Sequence, residues 1–360
     1  MAYTTIDKSE DYFKVVTYSG SGSTGQTITV GFQPDIIWVK ARNNTYDHVL
    51  FDSVRGFSTS TTGKQISPNL TNAQASTTGG HVGTVTSTGW TTKNGTAGTS
   101  LANVGDGSTT YVCYNWKVNA GSTATNDTGN IDTTVQANTT AGISIVQWEG
   151  ANSTATLGHG LGAVPELIIS KCIDTTQEWG VYHKDVGNDD YLHLNEAADE
   201  QDNAAYWNDT TPTSTVWSVG NSGPTNDNGD TMIAYVFTPI QGFSKFGMYK
   251  GNGNADGTFV YTGFKPAWVM QKRINNSTDA HWHKFDIKRD TTNPRLTRLE
   301  GNNDFGDSTG EGADFLSNGF KWRSNDVRYN GSDNTYVYIA FAEHPFVSSK
   351  GVPCTADGYI

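Results

Sequence analysis

The chain has 360 residues, 40 of them Gly, with 17% charged residues and a formal net charge of −12. That length admits two or three domains, each with its own core. The acidic balance and the lack of a basic stripe exclude a nucleic-acid backbone as partner and disfavour anionic membrane surfaces.

Gly, Thr, Ser and Asn crowd the gaps between short apolar runs, the composition of many short strands joined by turns. The opening MAYTTIDKSEDYF lacks the charged-then-apolar order of a signal peptide, and no apolar run reaches membrane-spanning length. Residues 1–11 read as an arm, either disordered or a docking strap. The first strand, VVTYSG, ends at Gly20, and GFQPDIIWVK follows from Gly31 to Lys40. Pro lacks a backbone N–H and so opens the strand rather than interrupting it. DIIWVK is apolar almost throughout, which predicts burial on both faces, with Lys40 ending the burial by reaching water. HVLFD, STGW (Ser87–Trp90) and TYVCYNW from Thr110 complete the set.

The set then recurs twice. The second copy reads IVQWEG, GLGAVPELIISK, WGVYH, STVW and TMIAYVF; the third reads FGMYKG, GFKPAWVMQK, WHKFD, SNGF and TYVYIAF. A lysine stands six positions after the proline each time: Lys40, Lys171 and Lys272. The period is too long for a solenoid and fits an independent β domain. The expectation is an all-β chain of three tandem β-sandwich domains, lectin-like or jelly-roll-like, from an internal triplication. Residues 1–118 hold the N-terminal arm and first repeat. Residues 119–140 are a Ser/Thr/Asn/Gly-rich linker, with a short strand at IDTTVQ. Residues 141–240 and 241–347 are the second and third repeats, and 348–360 a C-terminal tail with the same two readings as the arm. The short join between the last two repeats predicts close packing, and the longer one leaves the first free to stand apart. Cys113, Cys172 and Cys354 form no disulfide framework; the first two lie in strand-like runs and read as buried thiols. Aromatics matched in all three copies read as core.

No residue set demands catalytic or metal-binding spacing. His281 and His283 would share a strand face, but no third ligand follows at zinc spacing, and His48 and His183 fall in other columns. Asn226–Asp230 reads as a polar turn rather than a calcium loop. Asp189, Asp190, Glu196 and Glu200 have nothing to fix a glycosidase separation. Asp52 and Asp286 read as strand-end acids paired with Arg55 or Lys288, with Lys184 in their column of the second copy. KRDTTNPRLTR, from Lys288, reads as a solvated loop. No nucleophile motif occurs. The expectation is therefore no enzyme, no catalytic residue, no cofactor and no bound metal. Tyr46, Tyr191 and Tyr206 have no partners in the other copies and are the candidate exposed contacts. Recognition would lie where the copies differ: ARNNTYDH, GNDDYLHLNEAADEQDN, RINNSTDAHWH and RLEGNNDFGDSTGEGAD.

MAYTTID, NLTNA, TTAGISIVQWEG, GHGLGAVPELIISK and YIAFAEHPFV resemble, over nearly the whole chain, virion structural and tail-fibre-like proteins of marine bacteriophages and cyanophages. The resemblance implies a virion part, assembled in the host cytoplasm and acting outside the cell. It carries no catalytic residues. Its partners would be other virion proteins and a host-surface glycan or outer-membrane component, with no nucleic acid and no membrane insertion. A homo-oligomer is expected, a trimer first. Three functions compete: a surface fibre, spike or appendage that contacts the host through weak, multivalent loop binding; a capsid decoration or tail adaptor; and a polysaccharide depolymerase.

Overall fold

Apolar residues that alternate along a strand point to opposite faces, and nearly every long strand here is apolar on both. The computed structural model describes residues 2–58, 63–76, 79–95 and 101–354, and it is nearly all-β, 44% strand and 3% helical. Up to residue 118 the strands are β1 (Phe13–Ser19), β2 (Thr27–Thr29), β3 (Ile36–Ala41), β4 (Val49–Asp52), β5 (Lys64–Gln65), β6 (Ala75–Ser76), β7 (His81–Thr86), β8 (Gly89–Lys93) and β9 (Thr110–Trp116). From 119 to 240 follow β10 (Ala124–Asn126), β11 (Thr133–Asn138), β12 (Ile143–Glu149), β13 (Ala155–Gly158), β14 (Leu167–Cys172), β15 (Trp179–His183), β16 (Asp190–His193), β17 (Gln201–Asp202), β18 (Val216–Val219) and β19 (Thr231–Phe237). The rest are β20 (Ser244–Lys250), β21 (Phe259–Tyr261), β22 (Phe264–Arg273), β23 (His283–Asp286), β24 (Arg295–Glu300), β25 (Ser308–Leu316), β26 (Gly319–Trp322) and β27 (Thr335–Pro345).

One antiparallel arrangement appears three times. Strands run β1-β9-β3-β4 in the first segment, β12-β19-β14-β15 in the second and β20-β27-β22-β23 in the last. Registers match too: Ile36 faces Trp116 and Asp52, Leu167 faces Phe237 and His183, and Trp268 faces Phe341 and Asp286. Short pairs β2-β8, β13-β18 and β21-β26 lie over these sheets. Apolar layers between sheet and pair hold Val39, Phe51 and Trp90 in the first segment, Ile168, Tyr182 and Trp217 in the second, and Val269, Phe285 and Phe320 in the last. Cys113 and Cys172 are buried thiols in two of these layers. Burial pushes Cys113 up to about 12, which keeps it a protonated thiol.

The opposite faces of the same sheets meet in one further core. Trp38, Tyr114 and Trp116 of the first segment join Ile169, Tyr235 and Phe237 of the second and Trp268, Ile339 and Phe341 of the last. Trp116 packs edge-on against Trp268 at 6.0 Å, and Phe237 against Phe341 at 5.9 Å. The apolar strand opened by Pro34 is thus explained: Ile37 and Val39 face their own layer, Ile36 and Trp38 the common core. The first segment does not stand apart, because separating it would expose Trp38 and Trp116 to water.

The stretch read as a linker is tied down. Strands β10 and β11 extend the second sheet beside β12, and Gln136 donates to Asp35 at 2.7 Å. That carboxylate also accepts the backbone N–H groups of Val118, Ala120 and Gly121. The N-terminal arm docks on the last segment. Tyr3 donates to the Gly263 carbonyl, Ile6 enters the common core, and Asp7 accepts from Ser349. Residues 355–360 of the expected tail lie outside the described residues.

The lysines that were expected to reach water are fully buried. Lys171 gives its ammonium protons to the carbonyls of Cys172 and Gln177 and, in the first segment, Thr71. Lys272 reaches the carbonyls of Ala280 and, in the second segment, Glu196. Lys40 bonds the carbonyls of Ala41 and Asn44. An ammonium has three donors and no acceptor, so it suits a cluster of strand-end carbonyls.

Candidate functional site

The columns flanking these lysines form the joins between segments. His48, Trp179 and Trp282 occupy one column, and each backbone N–H is held by an asparagine side chain, Asn69, Asn195 or Asn302. Each ring then crosses a join. His48 Nε2 lies 2.9 Å from the Glu300 carbonyl, Trp179 donates to the Ser67 and Leu70 carbonyls at 3.1 Å, and Trp282 donates to the His193 carbonyl at 2.8 Å. First bonds to last, second to first and last to second, so the contacts close head to tail.

The strand-end acids obey the same cycle. Asp52 forms a buried ion pair with Arg55 and accepts the Tyr235 hydroxyl at 2.6 Å. Asp286 pairs with Arg289 and accepts the Tyr114 hydroxyl at 3.2 Å. Among the described residues Lys288 contributes to this carboxylate through its backbone N–H. His183, not Lys184, occupies this column in the second segment, and its Nε2 lies 3.4 Å from the Tyr338 carbonyl. The tyrosine that would bond it is replaced by Ile339. Burial holds His183 down at about 4, so a neutral imidazole fits where no phenol is available. The loop read as solvated is partly interior: Arg289 and Arg295 are buried.

One column earlier the segments diverge. Asp47, Glu178 and His281 each contact the clamping asparagine, and Ser67, His193 and Glu300 stand two residues before that asparagine on the facing chain. The second and last segments therefore carry the same carboxylate–imidazole pair with its members exchanged. That exchange, visible only once the copies are aligned through the asparagines, was the signal that composition and motif reading missed.

In the second segment His193 Nδ1 lies 2.8 Å from Glu196 and its Nε2 2.9 Å from the Tyr206 hydroxyl. Asn195 donates to Glu178. Glu178, His193 and Glu196 offer ligand atoms within 4.8 Å of one another, a mixed nitrogen–oxygen set of the kind divalent transition metals accept. Both imidazole nitrogens already have protein partners, which accounts for the cluster as a structural network. A second grouping, Cys172, Asp227 and Asp230, is held by Thr175 and Gln177 as part of the polar turn before β19.

Of the three candidate tyrosines, Tyr206 is buried, 5% exposed, and is not an exposed contact. It was drawn inside because His193 satisfies its hydroxyl and Tyr191 covers its ring, with centroids 3.6 Å apart and planes at 4°. Tyr191 is half-buried by that stack, and Tyr46 is half-buried against the first-segment layer.

In the last segment, Asp279, His281, Arg298, Glu300, Phe305 and Arg328 line a pocket of about 270 Å³. Arg298 Nε lies 3.5 Å from Glu300 Oε1, with both side chains mostly buried. Arg328 is held by Asp326 through two hydrogen bonds. Phe305, 61% exposed, is the most exposed large apolar side chain among the described residues. Beside the pocket, His283 and the Tyr329 hydroxyl are buried and make no hydrogen bond among the described residues. Their rings are 5.0 Å apart. Burial and the surrounding cations push His283 well below the usual imidazole range. His281 bonds Asn302 and His283 turns inward, with their rings 6.1 Å apart and Glu300 3.7 Å from one and 3.8 Å from the other.

Residues 8–345 match the model of a family described as "Domain of unknown function (DUF7483)". No curated protein and no solved structure matches the chain.

Proposed function

We propose that this chain, which belongs to the DUF7483 family, is a structural protein of a bacteriophage virion: a surface fibre, spike or appendage that contributes to host attachment. Three β-sandwich repeats from an internal triplication are locked into one body, and loops where the repeats differ contact host glycan or envelope. One observation carries the reading. Side chains shared by the segments serve the common core and its closed cycle of bonds, whereas the pocket of Arg298 and Phe305 joins the end of β24 to loop residues at positions where the segments carry different side chains. A rigid scaffold with variable loops is the arrangement recognition requires. The likeness of MAYTTID and YIAFAEHPFV to marine phage virion proteins gives the biological setting. Weak contacts per chain would be multiplied by oligomerisation and copy number.

Cryo-electron microscopy of intact virions tests this. The expected result is density for this chain at a distal surface with Phe305 facing solvent. Density showing that surface buried against capsid or tail proteins would replace the attachment reading with decoration or adaptor.

A further inference from the structure

We infer that the pocket at Arg298, Glu300 and Phe305 binds a neutral pyranose unit of a saccharide. The inference rests on the recognition reading above and names its ligand class.

A sugar ring asks for donors and acceptors side by side and an apolar plate for its C–H face. The pocket supplies both. Arg298 Nε is itself buried, makes no hydrogen bond among the described residues and lies 3.5 Å from Glu300 Oε1, so the two groups are only loosely tied to each other. Both side chains line the pocket, where a ligand diol can meet them. Among the described residues Glu300 Oε1 otherwise has His283 Nδ1, at 3.8 Å, while its other oxygen accepts from Asn303 and lies 3.7 Å from His281 Nδ1. A mostly buried guanidinium and carboxylate left without hydrogen bonds to each other are costly. Ligand hydroxyls offset that cost by accepting from Arg298 and donating to Glu300. Asp279 and His281 extend the polar wall.

Phe305 supplies the plate. It lines the same pocket and projects into solvent. Its backbone is fixed from behind: Asn303 accepts the Phe305 N–H, and Asp307 is bonded to Arg42 of the first segment. The aromatic is thus held ready, which lowers the ordering cost of binding.

Charge selects the class. Arg298 and Arg328 are balanced by Glu300 and Asp279 within the lining, and the whole chain carries −12. In a charge-balanced lining a uronate or sulfated sugar finds no net attraction to offset the desolvation of its charge, a cost that a neutral pyranose does not carry. The volume of about 270 Å³ suits one ring with the rest of the chain leaving past Phe305.

The test uses the full chain with a panel of methyl hexopyranosides and the corresponding methyl hexuronates, read by saturation-transfer NMR and calorimetry. At least one neutral glycoside should bind at millimolar strength, the uronates at least tenfold more weakly. Phe305→Ala, at an exposed position, should weaken binding at least tenfold, about 1.4 kcal/mol, without lowering the melting temperature. Arg298→Lys should weaken it comparably. No saturation transfer from any neutral glycoside, equal binding by uronates, or binding untouched by Phe305→Ala each overturns the inference. Virions that show this chain at a distal surface while no glycoside binds would sink the pocket alone. Glycoside binding by a chain buried in the virion would sink the attachment reading alone.

Discussion

Tyr235 donates its hydroxyl proton to Asp52 at 2.6 Å, joining residues 183 apart in sequence inside the common core. Tyr114 does the same for Asp286 at the next join. Both carboxylates already hold an arginine, so each phenol completes a buried charged network rather than making a surface contact.

Tyr235→Phe therefore removes one hydrogen bond to a buried charge and leaves shape intact. The expected loss is about 1.5–3 kcal/mol of unfolding free energy. Asp52→Ala goes further, since it strands Arg55 in the interior, and should cost about 3–5 kcal/mol. Urea unfolding of both variants checks the order; equal stability of Tyr235→Phe and the parent chain would show the join to be indifferent to this bond.

The common core makes the three segments one cooperative body. Trp268 touches Phe13, Tyr114 and Trp116 of the first segment and Phe341 of its own. Trp268→Ala should cost about 3–5 kcal/mol and still unfold in one transition. A fragment of residues 119–354 would expose its share of that core and lose the docked arm, so it should aggregate or unfold. A soluble, monomeric fragment with its own sharp thermal transition would contradict the shared core.

Stability should rise with pH through the range of the buried lysines. Burial lowers Lys40 and Lys171 from 10.5 to about 8, and Lys272 to about 7. Between those values and 10.5 the unfolded chain binds more protons than the folded one. Unfolding free energy then increases with pH by up to about 1.4 kcal/mol per unit for each lysine. Below about 7 this contribution is flat, because both states are protonated. Buried tyrosines, Tyr235 among them, are raised above 10.0 and act in the opposite sense beyond pH 10. Chemical denaturation from pH 7 to 10 should show the rise, shallower in Lys171→Met, which is also less stable overall because three carbonyls lose their donor. A fall over that range in the parent chain would refute the account.

Strand positions were legible because alternation is a local property. The Gly…Pro…Lys phrase located β3, β14 and β22, and the Thr-to-aromatic run located β9, β19 and β27. The site was less legible. Arg298, Glu300 and Phe305 lie in RLEGNNDFGDSTGEGAD and His193 in GNDDYLHLNEAADEQDN, stretches singled out because the copies differ there, but no motif marks them or Glu178 individually. Tyr206, chosen for lacking a counterpart, proved interior because its ring and hydroxyl found partners 15 and 13 residues back.

The sequence by itself determined that the chain is all-β and which residues share a strand face, since side-chain direction follows from a period of two. Only the tertiary structure decided what covers each face. Ile36 and Trp38 look in sequence like Ile37 and Val39, yet one pair serves a common core and the other a private layer. The same distant partners decided that Lys171 is buried, that Asp52 meets Tyr235, and that Phe305 stands at the mouth of a pocket. Hydrogen bonds and apolar contacts between residues a hundred positions apart leave no periodic trace in the chain that makes them.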